Sequence, residues 1–407
     1  MSLRSAFLRV MPVAILAILP WPAVVGSGFE DGQPGDTATI VVGEGDASLA
    51  DDLSRAFVSA DRLPASAAGA APGVEESTVT TPFETGSARN SSGSSKSLFL
   101  PVQPRWQAQI DALMLWQGNI PSRVLYTSWP SNAAALDVNQ AQSAMTAGVR
   151  YGLLLNLDPV YAIEGNYFNV SSFNGAAATP AGTYAQNNLA APSVGPNDGI
   201  IFTSANVATS GAIGSAELNW RRRTGTPVTW LAGFRWVEWN QGMSINDRFV
   251  FDPLVGLPPG TSRLDVSTGN NLYGGQLGMD LCLWNRWAGA VQVNGLGKAG
   301  VFYNRASYQR SIGTFMQDGQ PPEVLGPVAA TADQTSFVGE LGVNASVRIT
   351  NWLSWRAGYS LFWLTCVATP ANQLAVTNLM DFPPTALIDT NGSVLLHGAT
   401  TGLEARW

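Results

Sequence analysis

Trp106-Gln107-Ala108-Gln109-Ile110-Asp111-Ala112-Leu113-Met114-Leu115-Trp116 is the stretch on which the fold of this chain turns. Every second residue from Trp106 is apolar (Trp106, Ala108, Ile110, Ala112, Met114, Trp116), and Gln107, Gln109 and Asp111 fall between them. A repeat of two is the pleat of a β-strand, whose successive side chains point to opposite faces. The length suits the roughly 9–11 residues with which a tilted strand crosses a bilayer.

The same alternation returns over 145–155, 161–167, 212–220, 228–236, 273–283, 287–293, 337–347, 353–363 and 395–407, which makes ten candidate strands. Apolar residues on one face and polar residues on the other suit a wall with lipid outside and a polar lumen inside. A soluble β-sandwich would turn the apolar face inward, and the connections argue against it. Short turns at 156–159, 223–227, 284–286 and 349–351 alternate with long polar stretches at 117–143, 169–210, 240–270, 304–334 and 367–393. Membrane barrels have short periplasmic turns and longer extracellular loops. Four short turns and five long loops place both barrel ends on the periplasmic side.

Aromatic residues agree with this topology. Trp106, Tyr161, Trp220, Trp230, Trp284, Trp287, Trp352 and Trp407 fall near the periplasmic rim, and Trp116, Tyr167, Trp239, Tyr273 and Trp363 near the outer one. Amphipathic rings settle at headgroup level, so two girdles are expected. The expected fold is an all-β, transmembrane, antiparallel up-and-down barrel of about ten strands, with twelve as the alternative, in a bacterial outer membrane.

Composition points the same way. Hydrophobic residues make up 45% of the chain and charged residues only 13%, against about 25% charged in ordinary soluble proteins. A net charge of −7 argues against a nucleic-acid partner. Arg4 and Arg9, the apolar run from Val10 to Leu19, and the small residues Gly26, Ser27 and Gly28 read as an export signal over 1–28. Pro20 and Pro22 close that run before the roughly 20 residues a membrane helix needs. Residues 29–100 are rich in Ala, Gly, Ser, Thr, Asp and Pro and read as a disordered periplasmic linker ahead of a barrel over 101–407. Leu49, Leu53, Ala56, Phe57 and Ala60 fall at helical spacing within it, as either a docking helix or a fluctuating segment.

The last strand, Leu396-His397-Gly398-Ala399-Thr400-Thr401-Gly402-Leu403-Glu404-Ala405-Arg406-Trp407, resembles the terminal signature of outer-membrane barrels. That resemblance implies the barrel-assembly machinery as a partner. Asp111-Ala112-Leu113-Met114-Leu115-Trp116, Glu217-Leu218-Asn219-Trp220, Leu231-Ala232-Gly233-Phe234-Arg235, Leu272-Tyr273-Gly274-Gly275-Gln276-Leu277-Gly278, Gly339-Glu340-Leu341-Gly342 and Arg356-Ala357-Gly358-Tyr359 resemble, in order, the putative beta-barrel porin family seven. The resemblance implies an outer-membrane barrel of porin type, with membrane lipid and small solutes as its other partners.

Function would be carried by the lumenal face. Its candidates are the acids Asp111, Glu164, Glu217, Asp280, Glu340 and Glu404, the bases Arg150, Arg221, Arg235, Lys298, Arg348, Arg356 and Arg406, and the amide Gln276. Six acids against seven bases make no single-signed ring of the kind a selective pore uses. Arg150 and Glu164 are nearly symmetric about Leu157, so they are expected to meet across the first hairpin. Ten strands lie near the eight whose interior side chains fill. A narrow or largely occluded lumen is therefore expected.

A barrel hydrolase is the competing class, but the one histidine, His397, shares the outward parity of Leu395 and Leu403. No catalytic residue, metal set or cofactor is expected. Gly295-Leu296-Gly297-Lys298-Ala299-Gly300 spells a dinucleotide fingerprint, yet it lies inside a strand with no helix after it. Cys282 and Cys366 fall near opposite barrel ends and are expected to stay unpaired. The functions open at this point are passive passage of small solutes, a non-conducting barrel acting through its extracellular loops, and, last, a hydrolase.

Overall fold

A computed structural model describes residues 104–407 except 119, 188–194, 255, 288, 317–322 and 376–385. The expected export signal, linker and helical stretch at 48–63 lie outside the described residues. Fourteen strands follow in order: β1 (Trp106–Gln117), β2 (Val124–Ser128), β3 (Ala134–Asp137), β4 (Thr146–Asn156), β5 (Tyr161–Ser171), β6 (Gly175–Ala178) and β7 (Tyr184–Gln186), then β8 (Ile200–Arg223), β9 (Val228–Phe251), β10 (Gly260–Arg286), β11 (Val291–Met316), β12 (Glu323–Arg348), β13 (Leu353–Val367) and β14 (Gly392–Arg406).

Ten of them form a closed antiparallel ring, β1-β4-β5-β8-β9-β10-β11-β12-β13-β14, and β14 returns to β1. The seam is paired from Gln107↔Arg406 to Gln117↔Leu396. At its foot Trp106 and Trp407 exchange both backbone hydrogen bonds, at 2.9 and 3.0 Å. In lipid an unpaired backbone group costs several kcal/mol, so ring closure is what lets these strands span a membrane.

The ten strands match the expected count, but the long connections differ from expectation. Residues 240–270 and 304–334, and the end of 169–210, are mostly strand rather than loop: β8 to β12 run for 24 to 27 residues, against 11 to 15 for the other five ring strands. At about 3.3 Å per residue, they carry one side of the barrel far beyond the bilayer as a tall wall. Alternation does not stop at the membrane; it reverses. Met243, Ile245, Leu264 and Val266 are buried on the inner face, while Ser244, Asn246, Asp265 and Ser267 alternate with them. Stretches polar enough to read as loops are strands with a wet outer face. The third short turn also shifts, because β10 continues through Arg286 and β11 begins at Val291.

The wall's inner face is covered by β2, β3 with the short turn Val138–Ala141 that follows it, and β7, which bury Leu125, Tyr126, Leu136, Val138 and Tyr184 against Phe202, Val207, Met243, Ile245 and Phe249. Burying each such side chain contributes about 1.5–3 kcal/mol. A buried carboxylate, Asp247 on β9, ties the cover to the wall. It accepts from Tyr126 Oη (2.5 Å), Gln186 Nε2 (3.2 Å), and Ser262 N (3.2 Å) and Oγ (2.6 Å). Burial pushes its carboxyl above the usual value in spite of those four donors.

Two outcomes follow. Deleting Trp407 removes both hydrogen bonds at the foot of the seam, so the folded, heat-modifiable band on unboiled gels should weaken and its thermal midpoint fall by several degrees. For Asp247 the folded carboxyl is raised above its unfolded value. Docking of the cover is therefore strongest below the unfolded value and weakens as pH rises through the folded one. Proteolysis of residues 123–141 followed against pH should show that acid-side protection, and Asp247→Asn should flatten it.

Candidate functional site

Inside the ring, side chains from alternate positions stack in three layers. The lowest surrounds a cavity of about 390 Å³ at the short-turn end of the ring, lined by Gln107, Thr229, Gln292, Asn294 and Asn344 among others, with Arg223, Arg356, Arg406 and Glu404. Glu404 holds both Arg356 (3.2 Å) and Arg406 (2.5 Å).

The second layer is an ion cluster. Glu340 on β12 receives Arg235 at 2.8 Å and Arg150 at 3.4 Å, and stands 4.0 Å from Lys298. Lys298 donates to Glu217 at 2.6 Å, and Gln276 Nε2 donates to the other oxygen of Glu217 at 2.6 Å. Arg221 bridges Glu164 and Asp280, the latter at 2.7 Å. Buried charges lose their hydration and are tolerated only when each finds counter-charge and donors. Seven strands supply this set, which ties opposite sides of the ring together.

The third layer is apolar. Leu113, Leu115, Phe168, Val170, Ile213, Val237, Trp239, Leu272, Phe302, Val338, Phe362, Leu364, Val394 and Leu396 are buried in one cluster inside the barrel. Nine of the ten ring strands contribute. The tenth, β4, places Gly148 there, where a Cβ would lie 2.4 Å from Val170 Cγ2. Phe168 and Phe362 pack at 5.2 Å between ring centres, and the Arg150 and Arg235 guanidinia lie 5.4–6.0 Å from the two rings. Cation–π attraction thus joins the charged layer to the apolar one. Above, the chain after β13 turns into the lumen. The Cys366 carbonyl accepts from Asn304 (3.2 Å), Gln334 (2.7 Å) and Ser336 (2.6 Å), and Asn270 makes two hydrogen bonds with the Ala368 backbone, at 2.7 and 2.9 Å.

Most of the expected lumenal residues meet in these layers. Asp111 is buried, with Oδ1 free of hydrogen bonds, and lies opposite Arg150 in the β1–β4 register and Gly402 in the β1–β14 register. Two expectations are corrected. Arg150 and Glu164 do not meet: the turn centres two residues beyond Leu157, so Leu154 faces Glu164 and Arg150 faces Phe168. Each takes a partner from another strand instead. Arg348 stands exposed at the short-turn rim, outside the ion cluster. The interior base in its stead is Arg223, whose Nη2 donates to Asn156 at 2.5 Å. Arg223 shares the parity of Arg221, a signal hidden by assigning it to the turn.

Among the expected girdle residues, Trp220, Trp230, Trp284, Trp287, Trp352, Trp363 and Trp407 are exposed on the described surface, and Trp106 is half-buried at the seam. Trp239 is a further correction. It is fully buried inside the barrel against Phe173. His397 lies on the outer side, its Nδ1 2.6 Å from the Tyr359 hydroxyl and its ring beside Trp116. Cys282 and Cys366 are both free.

Solved structures similar to this chain include the outer membrane protease OmpT from Escherichia coli (10% identity, TM-score 0.39, covering 74% of this chain and 96% of that one). The toluene transporter TodX of P. putida gives 10% identity and a TM-score of 0.26, covering 76% and 91%. A Pseudomonas aeruginosa FadL homologue gives 8% and 0.24, covering 74% and 90%. No curated protein sequence matches the chain. A family model described as Putative beta barrel porin-7 (BBP7) matches residues 130–407, from the connection between β2 and β3 to the last residue of the seam. The chain belongs to this family of bacterial outer-membrane β-barrels.

Proposed function

We propose that this barrel is closed at rest and serves as a membrane-embedded stand for its extracellular wall, through which it contacts other molecules. The observation that carries this reading is the apolar layer built by nine of the ten strands and capped by the chain after β13. An ion entering it would lose its hydration with no polar partner in return. The long strands, with buried clusters of their own, support the second half of the reading, since an open passage would need no folded superstructure of that size. The outward position of His397, hydrogen-bonded to Tyr359, favours a non-enzymatic role. The C-terminal strand, ending in Trp407, is the element we assign to recognition by the assembly machinery.

A second reading, passage of small solutes, has the cavity beneath the seal and the family's porin description in its favour. It requires the chain after β13 to leave the lumen. Conductance of refolded protein in planar bilayers separates the two. The closed barrel should show no stepwise currents, and the double substitution Phe168→Ala/Phe362→Ala, which empties the centre of the seal, should produce them. Regular porin-sized steps from the unmodified chain would refute the closed state.

A further inference from the structure

The cavity at the short-turn end of the ring holds one guanidinium, that of Arg223, without a carboxylate partner. In the lower two layers, among the described residues, seven bases face the lumen (Arg150, Arg221, Arg223, Arg235, Lys298, Arg356 and Arg406) against six acids (Asp111, Glu164, Glu217, Asp280, Glu340 and Glu404). Six of the bases hold a carboxylate within 4.0 Å. The seventh is Arg223, which makes none of these ion pairs. Its Nη2 donates to a neutral amide, Asn156, while Nη1 is buried without a hydrogen-bond partner. Asp158, in the turn, forms no ion pair with it. The carboxylates lining the cavity are already engaged: Glu164 and Asp280 by Arg221, Glu217 by Lys298, and Glu404 by two guanidinia. None is left to turn to Arg223.

A guanidinium presents a planar fork of donors that matches the two oxygens of a carboxylate or phosphate. Around it the wall is neutral and rich in donors, with Gln107, Gln292, Asn294 and Asn344 among the lining residues. The volume of about 390 Å³ lies within the roughly 300–1,000 Å³ range of small-molecule sites. Above it the apolar layer blocks the way out, so a ligand enters and leaves by the periplasmic mouth. We infer that this cavity is a binding site for a small soluble oxyanion, held by Arg223 through a carboxylate or phosphate group. The binding site rests on the charge balance of the lower two layers, whereas the route of entry rests on the closed barrel proposed above.

Calorimetric titration of the full-length chain, refolded in detergent micelles, tests it with inorganic phosphate and with succinate, each against chloride at matched ionic strength. Saturable binding of either probe and none of chloride is expected, and the probe that binds identifies the group. Arg223→Gln should weaken binding at least tenfold while leaving heat-modifiability on gels unchanged, because Arg223 lies outside the ion cluster. Asn294→Asp, which adds a carboxylate to the wall and leaves Arg223 in place, should weaken it similarly and gives the reading if the first variant fails to fold. Absence of saturable binding for both probes, or wild-type affinity in Asn294→Asp or in folded Arg223→Gln, would overturn the site.

Discussion

The meeting of β1 with β14 is the constraint from which the other features descend. A sheet in hydrocarbon cannot leave an edge, because no water is present to satisfy it. The first and last ring strands therefore pair over eleven register positions, down to the reciprocal Trp106–Trp407 bonds. Once the ring is closed, strand number sets its width, and ten strands leave a bore that side chains can fill. What fills it is then a matter of chemistry. Charges pair across the ring in the half nearer the short turns, and aromatic and aliphatic groups meet in the half nearer the long connections.

The two halves depend on each other. Arg150 and Arg235 each face a carboxylate on one side and the Phe168–Phe362 pair on the other. Glu340 is the shared counter-ion of both, so removing it would strand two guanidinia in a dry interior, a loss of the kind that costs about 3–5 kcal/mol. Beyond the membrane the alternation reverses: the inner face of β8 to β12 becomes the apolar one and recruits β2, β3 and β7 as its cover. One periodic pattern thus builds a lipid-facing wall below and a water-facing wall above.

Period two made the strand count, the seam and the inward and outward faces legible in the sequence, because lipid on one face enforces alternation. The strand lengths were less legible, since bilayer thickness suggested a limit that β8 to β12 exceed. The apolar seal was also missed, although it left a trace. Leu113-Met114-Leu115-Trp116 and Leu361-Phe362-Trp363-Leu364 are apolar on both parities, the mark of strands buried inside as well as facing lipid. The long-range ion pairs had no local signal. Arg235 and Glu340 lie 105 residues apart, and only the geometry of the closed ring brings them together. Arg223 was hidden by a boundary: a shift of one residue moves it from turn to strand.

Ring closure in this register can be measured directly. With Cys282 and Cys366 replaced by Ser, the pair Ala108→Cys/Ala405→Cys joins register partners on β1 and β14, within the roughly 7 Å between Cα atoms that a disulfide spans. Oxidation of the folded protein should cross-link that pair quantitatively and leave Ala108→Cys/Leu403→Cys, offset by two residues, unlinked. Cross-linking of the offset pair in preference to the first, or of neither, would contradict the closed ten-stranded ring.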